Sequence, residues 1–503
     1  MSAAPLLIRA DASASLGTGH VMRMIALAQA WQLRGGMAHL ASMELPERLR
    51  ERLADEGIAS HSIDADTQGS KHDAAATASL ATDLLANRVI ADGYRFGADY
   101  QQAVQTADRR LAVVTDYDYC SGWKCDWVVN QNPHAVDENY EGIESKNRRL
   151  LGTRFALLRR EFLDADVHPA DIRSGKAGTG PRLLITLGGS DPDNLTGRLL
   201  RVLEHPSDVT ERLEVRLLVG AANPHGTDLQ ELAQRSRHRI ELLTNVTDMP
   251  AQYAWADGLI GAGGSSCWEW MYAGLAAAIL VIADNQQPIY DHLVEQQIAV
   301  GLGQSKHWND RRIQTKLSHF LETLSTRARE PGRFRNRVDG FGAARVAAAL
   351  DSGVWLRPAL DSDVRQYFDW ANDPIVRRQS LTTETINWSA HCDWFEGQLR
   401  SADARLYVAI SDDRPVGQIR FNRDTDGQWV VSFSVAEEAR GKGIGKQLLV
   451  LGTSHMRAAT NPSFLATVRR ENIASANCFL RLGWSSITPP NDQVMLFRQT
   501  LPQ

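Results

Sequence analysis

The sequence is short of cysteine, of long apolar runs and of basic charge, and each shortage removes a class of protein. Five cysteines in 503 residues, Cys120, Cys125, Cys267, Cys392 and Cys478, are too few and odd in number for a disulfide framework. They favour a reducing, cytoplasmic setting. Cys120 and Cys125 have no second pair at finger spacing, so no structural zinc is expected, and no other cluster calls for a metal. The longest apolar runs, such as Met271 to Ala283, stop short of the roughly 18–20 residues that span a bilayer. The first residues lack the basic, apolar, small-residue order of a secretory signal. A formal net charge of −5 gives no reason to expect a nucleic-acid partner. What remains is small-molecule chemistry, with neither nucleic acid nor membrane as partner.

What is present is a globular composition, 43% hydrophobic and 23% charged, in a chain too long for one core. Up to about residue 320, short β-rich runs alternate with helical stretches. Leu6–Arg9, Val89–Ala91, Leu111–Val114, Leu183–Leu187, Val215–Val219, Ile240–Leu243, Gly258–Ile260 and Ala278–Ile282 read as strands; Val21–Arg34 and Pro46–Glu56 read as helices. Apolar strands alternating with helices imply parallel sheets covered on both faces. Two such α/β lobes are predicted, residues 1–160 and 161–352, the second opening after the polar, Gly-rich stretch Arg173–Gly180. Gly342–Leu350 reads as a closing helix and Asp351–Gly353 as a hinge. From Trp355 the order changes to helices first and then strands, at Tyr407–Ile410, Val416–Phe421 and Trp429–Val435, which predicts a separate α+β domain over 353–503.

Between the first strand and its helix lies Arg9-Ala10-Asp11-Ala12-Ser13, followed by Gly17-Thr18-Gly19-His20. Glycines there let the backbone turn sharply and approach a ligand. The N–H groups at the helix start point into the crevice where parallel sheets bind ligands. The positive helix end favours a neutral His20 imidazole, which can accept a proton. Arg9, Asp11 and Arg23 converge on the same turn, and so many polar groups are costly to gather without a task.

In the second lobe, Gly188-Gly189-Ser190-Asp191 follows a strand, with Asn194 and Thr196 opening the next helix. Gly261-Ala262-Gly263-Gly264-Ser265-Ser266 follows another strand and runs into a helix carrying Glu269. Small residues at a helix start suit a diphosphate, and a carboxylate one turn inside can accept ribose hydroxyls. There is no Gly-x-x-x-x-Gly-Lys-Ser/Thr run, which argues against a P-loop nucleotidase. Asp284-Asn285-Gln286-Gln287, after a further strand, offers paired amide donors and acceptors.

Taken in order, these motifs resemble the hydrolase of the pseudaminic acid pathway, which removes UDP from UDP-2,4-diacetamido-2,4,6-trideoxy-β-L-altropyranose. The resemblance covers roughly residues 5–350. It implies a GT-B type pair of Rossmann-like lobes, shared with the MurG-type glycosyltransferases, and no metal. It also implies His20 as general base toward water, Tyr94 of Asp92-Gly93-Tyr94 lining the sugar pocket, and Ser265, Ser266 and Glu269 on the nucleotide. Asn194 would assist, with Asn285 and Gln286 on the diphosphate-sugar portion. Hydrolysis rather than glycosyl transfer is inherited from the resemblance, and spacing does not separate the two; a lobe pair that only senses a nucleotide sugar also stays open.

Farther on, Arg440-Gly441-Lys442-Gly443-Ile444-Gly445 follows the strand ending at Val435 and leads into a helix through Lys446. This is the Arg/Gln-x-x-Gly-x-Gly arrangement of the GNAT N-acetyltransferases, whose successive N–H groups can take the pyrophosphate of coenzyme A. Asn472-Ile473-Ala474-Ser475 through Phe479 to Gly483-Trp484 resembles that family's second signature, around the pantetheine arm. Trp370-Ala371-Asn372-Asp373-Pro374, Val376-Arg377, His391 and Trp394 resemble the pseudaminic-pathway acetyltransferase. The resemblance implies acetyl-CoA as cosubstrate and the 4-amino group of a UDP-linked aminosugar as acceptor; a protein amino terminus is the alternative. Many relatives place a tyrosine where this chain has Phe479, which cannot protonate the departing thiolate. Glu471 and Ser432 are the candidates for taking the amine proton, directly or through water. His391 and Cys478 read as packing residues.

Overall fold

The computed structural model describes residues 4–13, 16–140, 142–143, 148–164, 180–189, 191–204, 212–220, 223–326, 333–460, 462–488 and 493–499. The chain gathers into two compact units, one of Pro5–Gln29 with Ala38–Val346, the other of Ala30–Met37 with the chain from Ala347 onward.

The first unit holds two parallel sheets. One comprises β1 (Leu6–Ala10), β2 (Ala38–Ser42), β3 (Ala59–Ser62), β4 (Arg88–Asp92), β5 (Arg110–Val114), β6 (Trp127–Asn130) and β7 (Arg149–Leu151), in the order β3-β2-β1-β4-β5-β6-β7. The other comprises β8 (Arg182–Thr186), β9 (Glu214–Val219), β10 (Arg239–Thr244), β11 (Gly258–Ala262), β12 (Ala276–Val281) and β13 (Ala299–Gln304), in the order β10-β9-β8-β11-β12-β13. Every residue of β1 and of β11 is buried, as expected of strands covered on both faces. The two Rossmann-like lobes read from the sequence pattern are present. In both sheets the strand order reverses beside the first strand, at β1/β4 and at β8/β11. The crevice outside the carboxyl ends at such a point is where open α/β sheets bind ligands. The Ala156–Phe162 stretch joins the second lobe's core, where Ala156, Leu158 and Phe162 pack among Tyr253, Trp268 and Met271.

The second unit is built on β14 (Val354–Pro358), β15 (Ala404–Ser411), β16 (Arg414–Arg423), β17 (Trp429–Val435), β18 (Phe464–Arg469), β19 (Ser485–Ser486) and β20 (Val494–Gln499), in the order β14-β15-β16-β17-β18-β20-β19. Pairing is antiparallel except between β17 and β18, which run parallel and bond at Trp429–Phe464 and Val430–Leu465. One face packs on the helix Ile444–Thr460: Gly452 sits against Ile419 and Phe421, and Gly445 against Phe433 and Val435. The opposite face meets the helix Trp388–Arg400, where Asn422 bonds Gln398. This is the expected α+β domain. No helix among the described residues is long and apolar enough to cross a membrane.

Candidate functional sites

The loop after β1 folds back on itself through a Ser13–Gly17 bridge. Gly17, at φ +74°, occupies a conformation that costs a side-chain-bearing residue about 1–2 kcal/mol. The helix Gly19–Gln32 then begins, with His20 in its first turn. Asp92, at the carboxyl end of the adjacent β4, takes a 2.7 Å contact from His20 Nδ1. A carboxylate only accepts, so Nδ1 carries the hydrogen, and in the neutral ring Nε2 keeps the lone pair. Arg23 Nη2 lies 3.2 Å from the same Nδ1; the shorter charge-assisted contact fixes the tautomer. His20 keeps 12% of its side chain exposed, whereas Asp92 is fully buried.

Arg23 clamps Asp92 through Nε and Nη2, both at 2.6 Å, and reaches Asp116 through Nη1 at 2.7 Å. Burial pushes the Asp92 carboxyl upward, but Arg23 and His20 reverse this and hold it below the ordinary carboxylate value. Asp116 is likewise depressed, against burial, chiefly by Arg23. Tyr94 donates to Asp116 and accepts from Asn285 Nδ2 at 3.0 Å. Burial and the Asp116 charge push its phenol well above the ordinary value, so it is a neutral hydrogen-bonding group. Its ring meets His20 edge-on, with centroids 5.0 Å apart.

The second lobe supplies the other wall. A Cβ built on Gly19 would stand 3.6 Å from Ser265 Oγ, so the His20 loop and the turn after β11 meet at close range. Ser265 precedes the helix Ser266–Tyr272 and makes no side-chain capping bond, which leaves its hydroxyl available. Gln286 accepts from the Ile282 N–H at 3.0 Å and sets its amide nitrogen 3.5 Å from where a Cβ on Gly264 would lie. Glu269 is held by Arg159 at 3.0 Å and Tyr253 at 3.2 Å. Each of its oxygens retains a further acceptor position. Gly188, at φ +97°, turns the chain after β8 and brings Gly189 to the same end of the sheet.

Three of the expected substrate contacts, Arg9, Asp11 and Arg23, are corrected. Arg9 is fully buried, bonded to Asp73 and Asp11. Asp11 accepts from Arg9, the Met43 N–H and Gln68. Both are buried groups tying the β1 loop to its surroundings. Arg23 is spent on Asp92 and Asp116. Asn194, at φ +49°, accepts through Oδ1 from the Gly197 N–H at 3.0 Å, leaving its NH2 for a ligand beside Asp191, which accepts from Leu195 and Thr196. Ser190 lies outside the described residues. Asp92 and Asp116 were passed over in the sequence; their one visible signal is an aspartate at or just beyond the carboxyl end of a strand.

In the second unit the β17–β18 ladder stops after Val430, so the strands part toward Val435 and Arg469. An opening between parallel strands leaves backbone groups free to pair with an extended ligand. At its end, Gly441 and Gly443 adopt φ of +76° and +78° and deliver the chain to the 17-residue helix Ile444–Thr460, whose first N–H groups have no partner within the helix. Lys442 is exposed and Lys446 half-buried beside them, whereas the Ile444 side chain is in the core. Gly445 is closely packed, since a Cβ would stand 3.1 Å from Phe433.

Arg440 braces the turn: Nε donates to the Val435 carbonyl at 3.1 Å and Nη2 pairs with Asp373 at 2.8 Å, while its Nη1 has no acceptor among the described residues. Although burial raises the Asp373 carboxyl, the Val376 N–H and Arg440 bring it below the ordinary value. Asn472 caps the helix Ile473–Arg481 through the Ser475 N–H at 3.1 Å, leaving its NH2 for a ligand. Ser432 is half-buried on β17 and Glu471 exposed just past β18. Phe479 stacks on Phe497 and meets Trp484 edge-on, with centroids 5.2 and 4.9 Å away, so the position is wholly apolar. His391 Nε2 donates to the Val364 carbonyl at 3.0 Å and packs among aromatic rings. Among the described residues no three His, Cys, Asp or Glu side chains gather as a metal site.

Residues 354–485 match the acetyltransferase (GNAT) domain model. An uncharacterized protein of Methanocaldococcus jannaschii is 20% identical over 424 residues, 82% of this chain and 84% of that one. The spore coat polysaccharide biosynthesis protein SpsG of Bacillus subtilis is 26% identical over 168 residues, 33% of this chain and 49% of that one. The solved MurG of Acinetobacter baumannii aligns at 16% identity and a TM-score of 0.46, covering 67% of this chain and 98% of that one.

Proposed function

Starting from a GNAT acetyltransferase domain carried behind two Rossmann-like lobes, we propose that the chain performs two successive steps on one nucleotide sugar. The domain at 353–503 acetylates the 4-amino group of a UDP-linked aminosugar with acetyl-CoA. The lobes at 1–160 and 161–352 then hydrolyse the product, UDP-2,4-diacetamido-2,4,6-trideoxy-β-L-altropyranose, to free sugar and UDP. The observation that carries the hydrolytic half is the His20–Asp92 pair at the β1/β4 reversal, with Ser265 of the other lobe beside it.

In the hydrolytic step a water oxygen bonds the anomeric carbon as the bond from that carbon to the phosphate oxygen breaks. His20 Nε2 takes the water's proton while Asp92 steadies the imidazolium that forms. Donors in the turns around Gly189, Gly264 and Ser265 offset the charge that builds on departing UDP. Glu269 supports a nucleoside through its spare acceptor positions, and Asn285 with Gln286 supports the diphosphate-sugar portion. In the acetyl step the amine nitrogen attacks the thioester carbon and the thiolate leaves. The parted β17–β18 strands receive the pantetheine arm, and the N–H groups at Gly441–Gly445 receive the pyrophosphate. With Phe479 buried in an aromatic stack, a thiolate leaving unaided, or protonated by water, fits better than protonation by a side chain. Ser432 or Glu471 passes on the amine proton.

Incubating the protein with the UDP-linked 4-aminosugar is expected to release UDP slowly alone and quickly once acetyl-CoA is added, with one CoA formed per UDP. UDP release that requires an added sugar or lipid acceptor would replace hydrolysis with glycosyl transfer. CoA release with peptide amino termini but no aminosugar would replace the acetyl acceptor.

A further inference from the structure

The face of the second unit's sheet that meets the helix Trp388–Arg400 carries a cation without a counter-charge. Arg420 stands on β16 opposite Ser432 of β17, with its guanidinium over the Trp394 ring, 4.9 Å from the centroid. Arg357 and Arg440 in the same unit each hold an aspartate, at 2.6 and 2.8 Å. Among the described residues no carboxylate pairs with Arg420. A second guanidinium acts on its charge through space. Arg377, on the helix Pro374–Gln379, donates to the Thr382 and Glu384 carbonyls and to Ser380, again without a carboxylate, and its Nε is buried with no acceptor. Burial lowers the Arg420 pKa; Tyr367 opposes this and Arg377 adds to it.

Two like charges brought together in a half-buried place are unfavourable unless something answers them. An outside anion answers them, and the planar fork of arginine matches phosphate oxygens in pairs. The position sets the function: Arg420 sits directly across from Ser432, on the strand that borders the opening for the acetyl donor. We infer that the acetyl acceptor is a phosphate-bearing amine, whose phosphate or diphosphate is received by Arg420 and Arg377 beside the Trp394 ring while its amine reaches the β17 strand. The inference rests on the acetyltransferase half of the proposed function but not on its choice of sugar.

CoA thiol release reads acetylation alone, whatever the first unit does. With the full chain, kcat/KM is compared for three amines: the UDP-linked 4-aminosugar, glucosamine 6-phosphate, and the same aminosugar without UDP. Wild type is expected to favour the phosphate-bearing amines, with inorganic pyrophosphate competing against amine and not against acetyl-CoA. Arg420→Gln should cut that preference about 10–100-fold, the worth of a charge-assisted hydrogen bond, and Arg420→Lys should restore part of it. A global fold defect would lower all three amines together, whereas lost phosphate recognition lowers the ratio. The inference is overturned if wild type shows no preference, or if Arg420→Gln keeps it. Transfer to glucosamine 6-phosphate alone, dependent on Arg420, would support the inference while removing the UDP-aminosugar as acceptor. No transfer to any of the three amines would remove both.

Discussion

His20→Ala is expected to lower the rate of UDP release by about 10²–10⁴-fold, the usual worth of a positioned general base, while UDP affinity stays within a few-fold. The split follows from where the groups sit. In the proposed function the nucleotide contacts belong to the second lobe, at Ser265, Ser266 and Glu269, whereas His20 stands on the helix after β1 with its Nδ1 engaged by Asp92. Removing the imidazole leaves the second-lobe turns intact. It removes the acceptor for the water's proton, about 2.7–5.5 kcal/mol of barrier by the rate equation. Single-turnover UDP release, set beside UDP binding measured by calorimetry, checks both halves. A UDP affinity that falls as far as the rate would make His20 a ligand contact instead of a base.

Asp92→Asn is expected to cost about 10²–10⁴ in the same rate, although Asp92 touches no substrate. A carboxylate can only accept from His20 Nδ1, whereas an asparagine can turn its NH2 toward that nitrogen and place the ring hydrogen on Nε2. The ring then has no lone pair for water, the effect known for Asp→Asn beside a catalytic histidine. Folding should survive, because Arg23 retains Asp116 at 2.7 Å. Asp92→Ala should be the more destabilising change, since it leaves Arg23 a buried cavity as well as one partner fewer. The ionised state is secure: despite burial, Asp92 is held below the ordinary carboxylate value. Its contribution to stability is therefore complete above the unfolded carboxylate range and is lost only as pH falls through the depressed folded value. Kinetics with thermal melting separate the two effects; an Asp92→Asn protein of near wild-type rate would dismiss the pair as a catalytic unit.

Local signals were the legible ones. Glycine turns after apolar strands marked the ends of β1, β8 and β11, and Gly441 and Gly443 marked the start of the helix Ile444–Thr460, because a positive φ and a helix start both leave a trace within a few residues. Strands such as Ala59–Ser62, mostly polar and half-exposed, left no such trace. Long-range pairings left none either: Asp92 and Asp116 reach their partners across 72 and 93 positions. Arg9 and Asp11 sit beside the functional loop in sequence, yet Asp73, 64 positions on, draws Arg9 inward. Arg440 has a long-range partner of the same kind. Its motif describes the backbone faithfully, but Asp373 claims its side chain.

In the proposed function His20 directs water at the anomeric carbon of a UDP-sugar. The most direct measurement is hydrolysis of the acetylated UDP-sugar in heavy-oxygen water with no acceptor added, followed by mass spectrometry of both products. The label is expected in the anomeric hydroxyl of the free sugar, with UDP unlabelled and the reaction lost in His20→Ala. Label in the UDP phosphate, or UDP release at an undiminished rate from His20→Ala, would contradict it.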